Sequence, residues 1–396
     1  MTDSPTPPPQ PLAPPSTLHH RLLEWYDRAK RAMPWRQTTD PYAIWLSETM
    51  LQQTQVETVK PYYARFLGRF PTIKSLAEAD LQEVLTLWAG LGYYRRAKHL
   101  HLAAQAVVRH HGGELPGSVE ALRTLPGIGR YTAGAIASIA FDRPAPVVDG
   151  NVMRLLARLA GYDRDIADPK HHAFFWRLAG EIVSAARSGS YGDVNQALME
   201  LGATVCTPPP SRPACLLCPL SAACRAFSEG RQAELPVKSP KAPVRPIRGI
   251  ALILLRPRSD TPGGTLMEVL LMRRATGTMW EDMWEFPTLT PPPKPRRARK
   301  IDLHDLGRHA AASLGIPAPA FVSRGHIRHT LTHRSIQLEV FQAVLPPETE
   351  VATLPASPTA DGKSYRGSRW VAWPLAEPRP LPMARLVTKI AQAATG

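Results

Sequence analysis

Four thiols and two carboxylates carry most of the chemistry legible in this chain. All 4 cysteines fall in one run, CTPPPSRPACLLCPLSAAC, as Cys206, Cys215, Cys218 and Cys224. The spacing is C-x8-C-x2-C-x5-C. Two disulfides suit a small secreted scaffold and not a chain of 396 residues. Structural zinc sites usually pair two short C-x2-4-C knuckles, and only one is present, so zinc stays the weaker rival. Four clustered thiolates can hold a [4Fe–4S] cluster, and the spacing favours that reading.

The first carboxylate is Glu48, in IWLSETMLQQTQV. Ile44 and Leu51 share its helical face, which puts Glu48 at the edge of an apolar surface, where lost solvation raises a carboxyl pKa. An isolated Glu on a helix is more often an exposed one. The second is Asp149, in VVDGNVMRLLARLAG, directly before a helix whose apolar stripe starts at Val152. Its plain role is an N-cap. The same N–H groups and dipole keep such a carboxylate ionised, able to stabilise or attack a developing cation. A raised Glu beside an ionised Asp is an arrangement for acid-catalysed glycosidic cleavage.

The elements that position these groups follow from pattern. In LPGIGRYTAGAIASIAF a short helix starting near Ser118 breaks at Pro126–Gly129, and a second helix follows. Gly127 and Gly129 there allow positive φ and close backbone approach, and their N–H groups can hold a phosphate oxygen. A net charge of +15 favours a polyanionic partner, nucleic acid first. No apolar run reaches membrane-span length, and the Pro-rich N-terminus is no signal peptide, so a cytoplasmic location and no membrane partner are expected.

The organisation expected is a disordered tail over 1–17, an all-α domain over 18–228, a linker over 229–246 and an α+β domain over 247–396. Leu18, Leu22 and Tyr26 recur at helical spacing, and Asp80 with Glu83 marks a helix start before LQEVLTLWAGL. Beyond the linker, IRGIALILLR, LMEVLLMRR, SIQLEVFQAVL and WVAW are β-prone, and DLHDLGRHAAASL reads as one helix. The stretches 290–300 and 346–368 read as loops.

Together MPWR (33–36), SETMLQQTQV, WAGLGYYRRAKHL (88–100), LPGIGRYTAGAI, VVDGNV and NQALMELGATVC (195–206) resemble the helix-hairpin-helix DNA glycosylases with an iron–sulfur cluster. Within that superfamily, which includes endonuclease III, the match is to the MutY-type branch. The resemblance implies an enzyme of base excision repair, hydrolysing the N-glycosidic bond of adenine mispaired with 8-oxoguanine or guanine in double-stranded DNA. It implies a monomer in the bacterial cytoplasm, associated with the nucleoid. Where endonuclease III-like enzymes carry a lysine after GxGR, this chain has Tyr131, which implies a monofunctional glycosylase without a strong lyase step.

By that resemblance Glu48 protonates adenine at N7, and Asp149 stabilises the sugar cation or bonds to it. Asn151 and Tyr131 support Asp149 and the sugar. Gln196 meets the flipped base, while Gln53 and Tyr93 wedge into the duplex. The cluster loop, with Arg212 and Arg225 nearby, presents positive charge to the backbone. The family's first cysteine gap usually holds six residues; here two more bulge within a Pro-rich loop. The second domain resembles the MutT-like (Nudix) domain of the same branch. Its helix lacks the glutamates that hold metal in Nudix hydrolases, so no pyrophosphatase activity is expected. The family's 8-oxoguanine reader, often Phe-Ser-His, corresponds to Leu331-Thr332-His333. The rival enzyme is a thymine or oxidised-pyrimidine glycosylase on the same scaffold. The non-enzymatic rival is a DNA-binding module, disfavoured because both carboxylates are present.

Overall fold

The computed structural model describes residues 13–240, 244, 246–258, 266–289, 303–316, 319–331, 334–351, 365–375 and 381–395. They fall into two compact units, Met1–Ala77 with Leu102–Lys241 and Glu78–His101 with Ala242–Gly396.

The described part of the first unit is helical throughout. Its first helix, Pro15–Ala29, starts inside the expected tail, because proline fits the first turn, where its missing N–H has no partner to lose. Leu18, Leu22 and Tyr26 on that helix are buried, as their spacing predicts. They pack against Val152, Leu155, Leu156 and Leu159 of the helix Gly150–Ala160 and against Val194, Leu198 and Leu201 of Tyr191–Thr204. Each such side chain contributes about 1.5–3 kcal/mol when fully buried. One shared core therefore fixes the two helices that carry Asn151 and Gln196. The glycine break also forms: Val119–Leu122, N-capped by Ser118, precedes Arg130–Ile139.

The second unit contains the helix Leu81–Trp88, whose first turn is held by Asp80 accepting from Gln82 N, together with a mixed sheet. The strands are β1 (Pro246–Pro257), β2 (Met267–Arg274), β3 (Trp284–Glu285), β4 (Thr288–Leu289), β5 (Val322–Thr330), β6 (Ser335–Val344) and β7 (Tyr365–Trp373). The order is β3-β2-β1-β6-β5, with β4 on β1 and β7 on β2. β1 runs parallel to β6 and antiparallel to β2. β1 is buried on both faces, which is why it reads as a continuous apolar run. Ala251, Ile253 and Leu255 pack under the helix Arg385–Thr395 through Leu386, Val387 and Ile390. Ile250, Leu252 and Leu254 face Ala310, Ala311 and Leu314, at the helix Leu303–Ser313 and just beyond it.

Three features differ from expectation. β7 begins at Tyr365, inside the stretch read as a loop. β5 is a polar strand, VSRGHIRHT, lying at the sheet edge, so it needs no alternating apolar pattern. The helix Arg385–Thr395 was not anticipated at all. The expected loop over 290–300 lies outside the described residues.

Candidate active site and cysteine loop

Glu48 lies on the helix Pro41–Leu51, started by Pro41 and by Asp40, whose carboxylate accepts from Tyr42 N and Ala43 N. Residues 42 to 50 of this helix are all buried, so Glu48 sits inside the core rather than at its edge, 6% exposed. Burial pushes its pKa up from 4.5 to about 7. A hydrogen bond from Tyr131 opposes the shift, the charge of Asp149 adds to it, and Arg36 opposes it from a distance. The Tyr131 hydroxyl donates to Glu48 Oε2 at 2.7 Å and also meets Met199 Sδ at 3.2 Å. Tyr131 therefore joins Glu48 to the helix Tyr191–Thr204. Burial, with the two carboxylates close by, holds the phenol well above its ordinary pKa, so it remains a donor.

Asp149 N-caps Gly150–Ala160. Its Oδ1 accepts from Asn151 N at 2.9 Å and Val152 N at 2.7 Å, and its Oδ2 accepts from Asn151 Nδ2 at 3.0 Å. The cap geometry is as expected. The electrostatics are not: burial raises the Asp149 pKa despite these bonds and the nearby Arg154. Asn151 is itself held, since its Oδ1 accepts from Arg154 Nη2 at 2.9 Å. Gly202 lets the neighbouring helix close on it; a Cβ there would meet Asn151 backbone at 2.8 Å. Glu48 with Tyr131, and Asp149 with Asn151, thus form two hydrogen-bonded pairs inside the first unit that feel each other's charge.

Gln196 is half-buried on Tyr191–Thr204. Three and four residues on, Met199 and Glu200 share its face. Glu200 is buried between two guanidiniums: Arg31 Nε and Nη2 at 2.6 and 3.0 Å, and Arg36 Nη2 at 2.8 Å. These bonds hold its pKa below the ordinary value against burial. Met199, Glu200, Arg31 and Arg154 join the site without being singled out by motif. For Met199 and Glu200 the signal was present in NQALMELG as helical spacing from Gln196.

The DNA-facing candidates divide. Gly127 adopts φ +75, which favours glycine. Gly129 does not need it: its φ is −87, in extended backbone open to any residue. Its importance is as N-cap of Arg130–Ile139, a cap without a side-chain bond. Gln53, exposed, has φ +57, and Tyr93, 41% exposed, has φ +49. Non-glycine residues in that region are strained and gather at functional sites. In the second unit Leu331 is half-buried against the sheet core, with its N–H donating to Arg334 O at 2.7 Å across the β5–β6 turn. Thr332 and His333 lie outside the described residues.

The four cysteines are free thiols around one cavity, lined also by Leu155, Arg158, Leu220, Phe227 and Gln232. Burial pushes the Cys218 thiol up to about 12. Arg154 Nε donates to Cys206 O at 2.8 Å, so one guanidinium touches both the cysteine loop and Asn151. The longer first gap folds outward, with Thr207 Oγ1 donating to Arg212 O at 3.2 Å. Among the described residues no three His, Cys, Asp or Glu side chains converge closely enough for a single metal ion.

Known families match both parts of the chain. The HhH-GPD superfamily of base excision DNA repair proteins matches residues 46–180, and the NUDIX domain matches residues 265–393. A rat protein named adenine DNA glycosylase is 37% identical, over 90% of this chain and 74% of its own length. The chain belongs to the MutY-type adenine DNA glycosylases. The human adenine DNA glycosylase is 36% identical, over 88% of this chain and 69% of its own. The enzyme from Schizosaccharomyces pombe is 43% identical, over 52% of this chain and 48% of its own. The chain is a DNA glycosylase of base excision repair, with a helix-hairpin-helix domain and a Nudix-like α+β domain. Among the described residues no helix is long and apolar enough to cross a membrane.

Proposed function

We propose that this enzyme removes adenine opposite 8-oxoguanine or guanine from duplex DNA, as a monomer and without strand cleavage. The carrying observation is the buried Glu48, neutral up to about pH 7 and hydrogen-bonded to Tyr131 beside Asp149. Adenine must leave the stack to reach these groups, and pocket contacts offset the unstacking. Gln53 and Tyr93 fill the gap in the duplex, while Gln196 meets the extruded base. Glu48 gives its proton to adenine N7. The N-glycosidic bond then breaks with its electron pair leaving on the base. Asp149 faces the resulting cation at the sugar C1′, its charge oriented by Asn151. A bond from Asp149 to C1′, later displaced by water, gives retention. Tyr131 offers no amine, so no Schiff base forms.

The thiols fit a [4Fe–4S] cluster. Four cysteines bound one cavity, Gln232 also lines it, and the side-chain oxygen of Gln232 is buried with no partner among the described residues. Cys206, Cys215, Cys218 and Cys224 would each ligate one iron. When bound, the group supplies a structural brace for the loop and a one-electron couple. Leu331, Thr332 and His333 read 8-oxoguanine in the opposite strand. The enzyme works in the cytoplasm at the nucleoid.

The test is single-turnover cleavage of duplexes with one central A·8-oxoG, A·G, T·G or thymine glycol·A pair, with and without alkali. Alkali-dependent cleavage of the adenine strand, fastest opposite 8-oxoguanine, is expected. Cleavage of T·G or thymine glycol alone would leave the scaffold and overturn the specificity.

A further inference from the structure

The lining of the cysteine cavity includes one group that the family's ligand set does not explain. Gln232 lies eight residues beyond Cys224 and lines the same cavity as the four cysteines. Its Oε1 is buried and has no hydrogen-bond partner among the described residues. A buried amide oxygen left unpaired is costly, because it has lost its water without gaining a donor. Arg158 fixes the segment that follows Gln232. Its Nε donates to Leu235 O at 2.8 Å, and its Nη1 donates to Thr207 O at 2.9 Å and to Cys206 Sγ at 3.3 Å. Leu235 is buried, and Ile166 N donates to Val237 O at 3.0 Å. The backbone just beyond Gln232 is therefore anchored.

We propose that Gln232 is a hydrogen-bond donor to the iron–sulfur cluster and, with Arg158, sets its reduction potential. This rests on the cluster reading above. Thiolates and sulfides are acceptors only. An amide that turns over about its last bond exchanges oxygen for NH2 with little change of shape. The turned amide would direct an N–H at cluster sulfur and end the unpaired state of the side chain. Reduction adds one electron to the cluster and moves no atom. N–H donors and the guanidinium charge stabilise the more negative, reduced form, so they raise the potential. Removing them lowers it. Arg158 carries a full charge and bonds Cys206 directly, so its effect exceeds that of Gln232.

The experiment compares the full-length, cluster-loaded protein with Gln232→Leu and Gln232→Glu by protein-film voltammetry without DNA. Iron and sulfide content are measured on the same samples. Both variants are expected to shift the midpoint to more negative potential, Glu further than Leu because it adds negative charge. Resonance Raman of the unaltered protein gives an independent reading, since a donated N–H makes Fe–S stretching bands shift in D2O. That shift should shrink in Gln232→Leu. Brown, iron-loaded variants with an unmoved midpoint and unchanged isotope shifts would overturn the proposal. Colourless protein holding zinc would instead overturn the cluster reading on which it rests.

Discussion

The buried carboxylates of the candidate site are treated in the opposite way to those of the second unit, and to Glu200, which Arg31 and Arg36 pair within the first unit. In the second unit, Glu285 faces Arg274 at 3.0 Å, both almost without exposure, and Tyr365 donates to the same carboxylate at 2.8 Å. Asp282, also buried, pairs with Arg273 and Arg366. Charge there is matched by charge. In the first unit Glu48 has a phenol and no cation within ion-pair distance among the described residues, and Asp149 has amide donors alone within hydrogen-bond reach. Paired buried charge holds a fold in one register. Buried carboxyls left without a counter-ion hold a proton or a charge ready for something else, and in a glycosylase that is the substrate.

The contrast can be broken at its strongest point first. Asp149→Asn removes the charge that faces the sugar cation but keeps the cap. Adenine release should fall by about 10⁴-fold or more, over 5 kcal/mol of barrier, while DNA binding in a mobility-shift assay persists. Normal turnover would take Asp149 out of the mechanism. On the other side, Glu285→Gln strands a buried guanidinium. Urea unfolding should show a loss of about 3–5 kcal/mol. No loss would mean the pair in the second unit does not hold the fold.

Glu48→Gln tests the same idea with the sign reversed. A carboxyl whose folded pKa is about 7 rather than 4.5 binds its proton more tightly when folded. Its stabilising contribution is complete below 4.5 and is lost as the pH rises through 7. Glutamine carries no charge, so the variant should be more stable than the parent at pH 8 by about 1–3 kcal/mol. The advantage should shrink to less than about 1 kcal/mol at pH 5, as read by thermal unfolding at both values. Equal stability at pH 8 would mean Glu48 is not buried as a lone acid. Tyr131→Lys should produce the smallest change, a minor amount of nicking without alkali, with a borohydride-trappable adduct. The absence of any adduct would count against placing residue 131 at the sugar.

Much of the first unit was legible because its helices carry their own start signals and stripes. Ser118 and Asp149 cap where the sequence puts caps, and Leu18, Leu22 and Tyr26 face inward. The site was less so. Glu48 reads as an edge residue from Ile44 and Leu51 on its face, yet polar Ser47 and Thr49 beside it are buried too. Those hydroxyls turn back to Ile44 O and Trp45 O, which lets the helix be buried all round. Helical spacing from Gln196 points to Met199 and Glu200, but their partners Arg31, Arg36 and Tyr131 lie far away in sequence, and no local pattern reports such pairs. In the second unit β1 announced itself by its apolar run. The edge strand β5 could not, because an exposed strand buries little.

The central claim is that Glu48 acts as a neutral acid because it is buried without a counter-ion. It is tested most directly by the pH dependence of single-turnover adenine release from an A·8-oxoG duplex. The rate should be level below about pH 7 and fall about tenfold per unit above it, as Glu48 loses its proton. On the acid side the rate should drop only where Asp149 becomes protonated. A rate that stays constant from well below to well above neutrality would contradict the account.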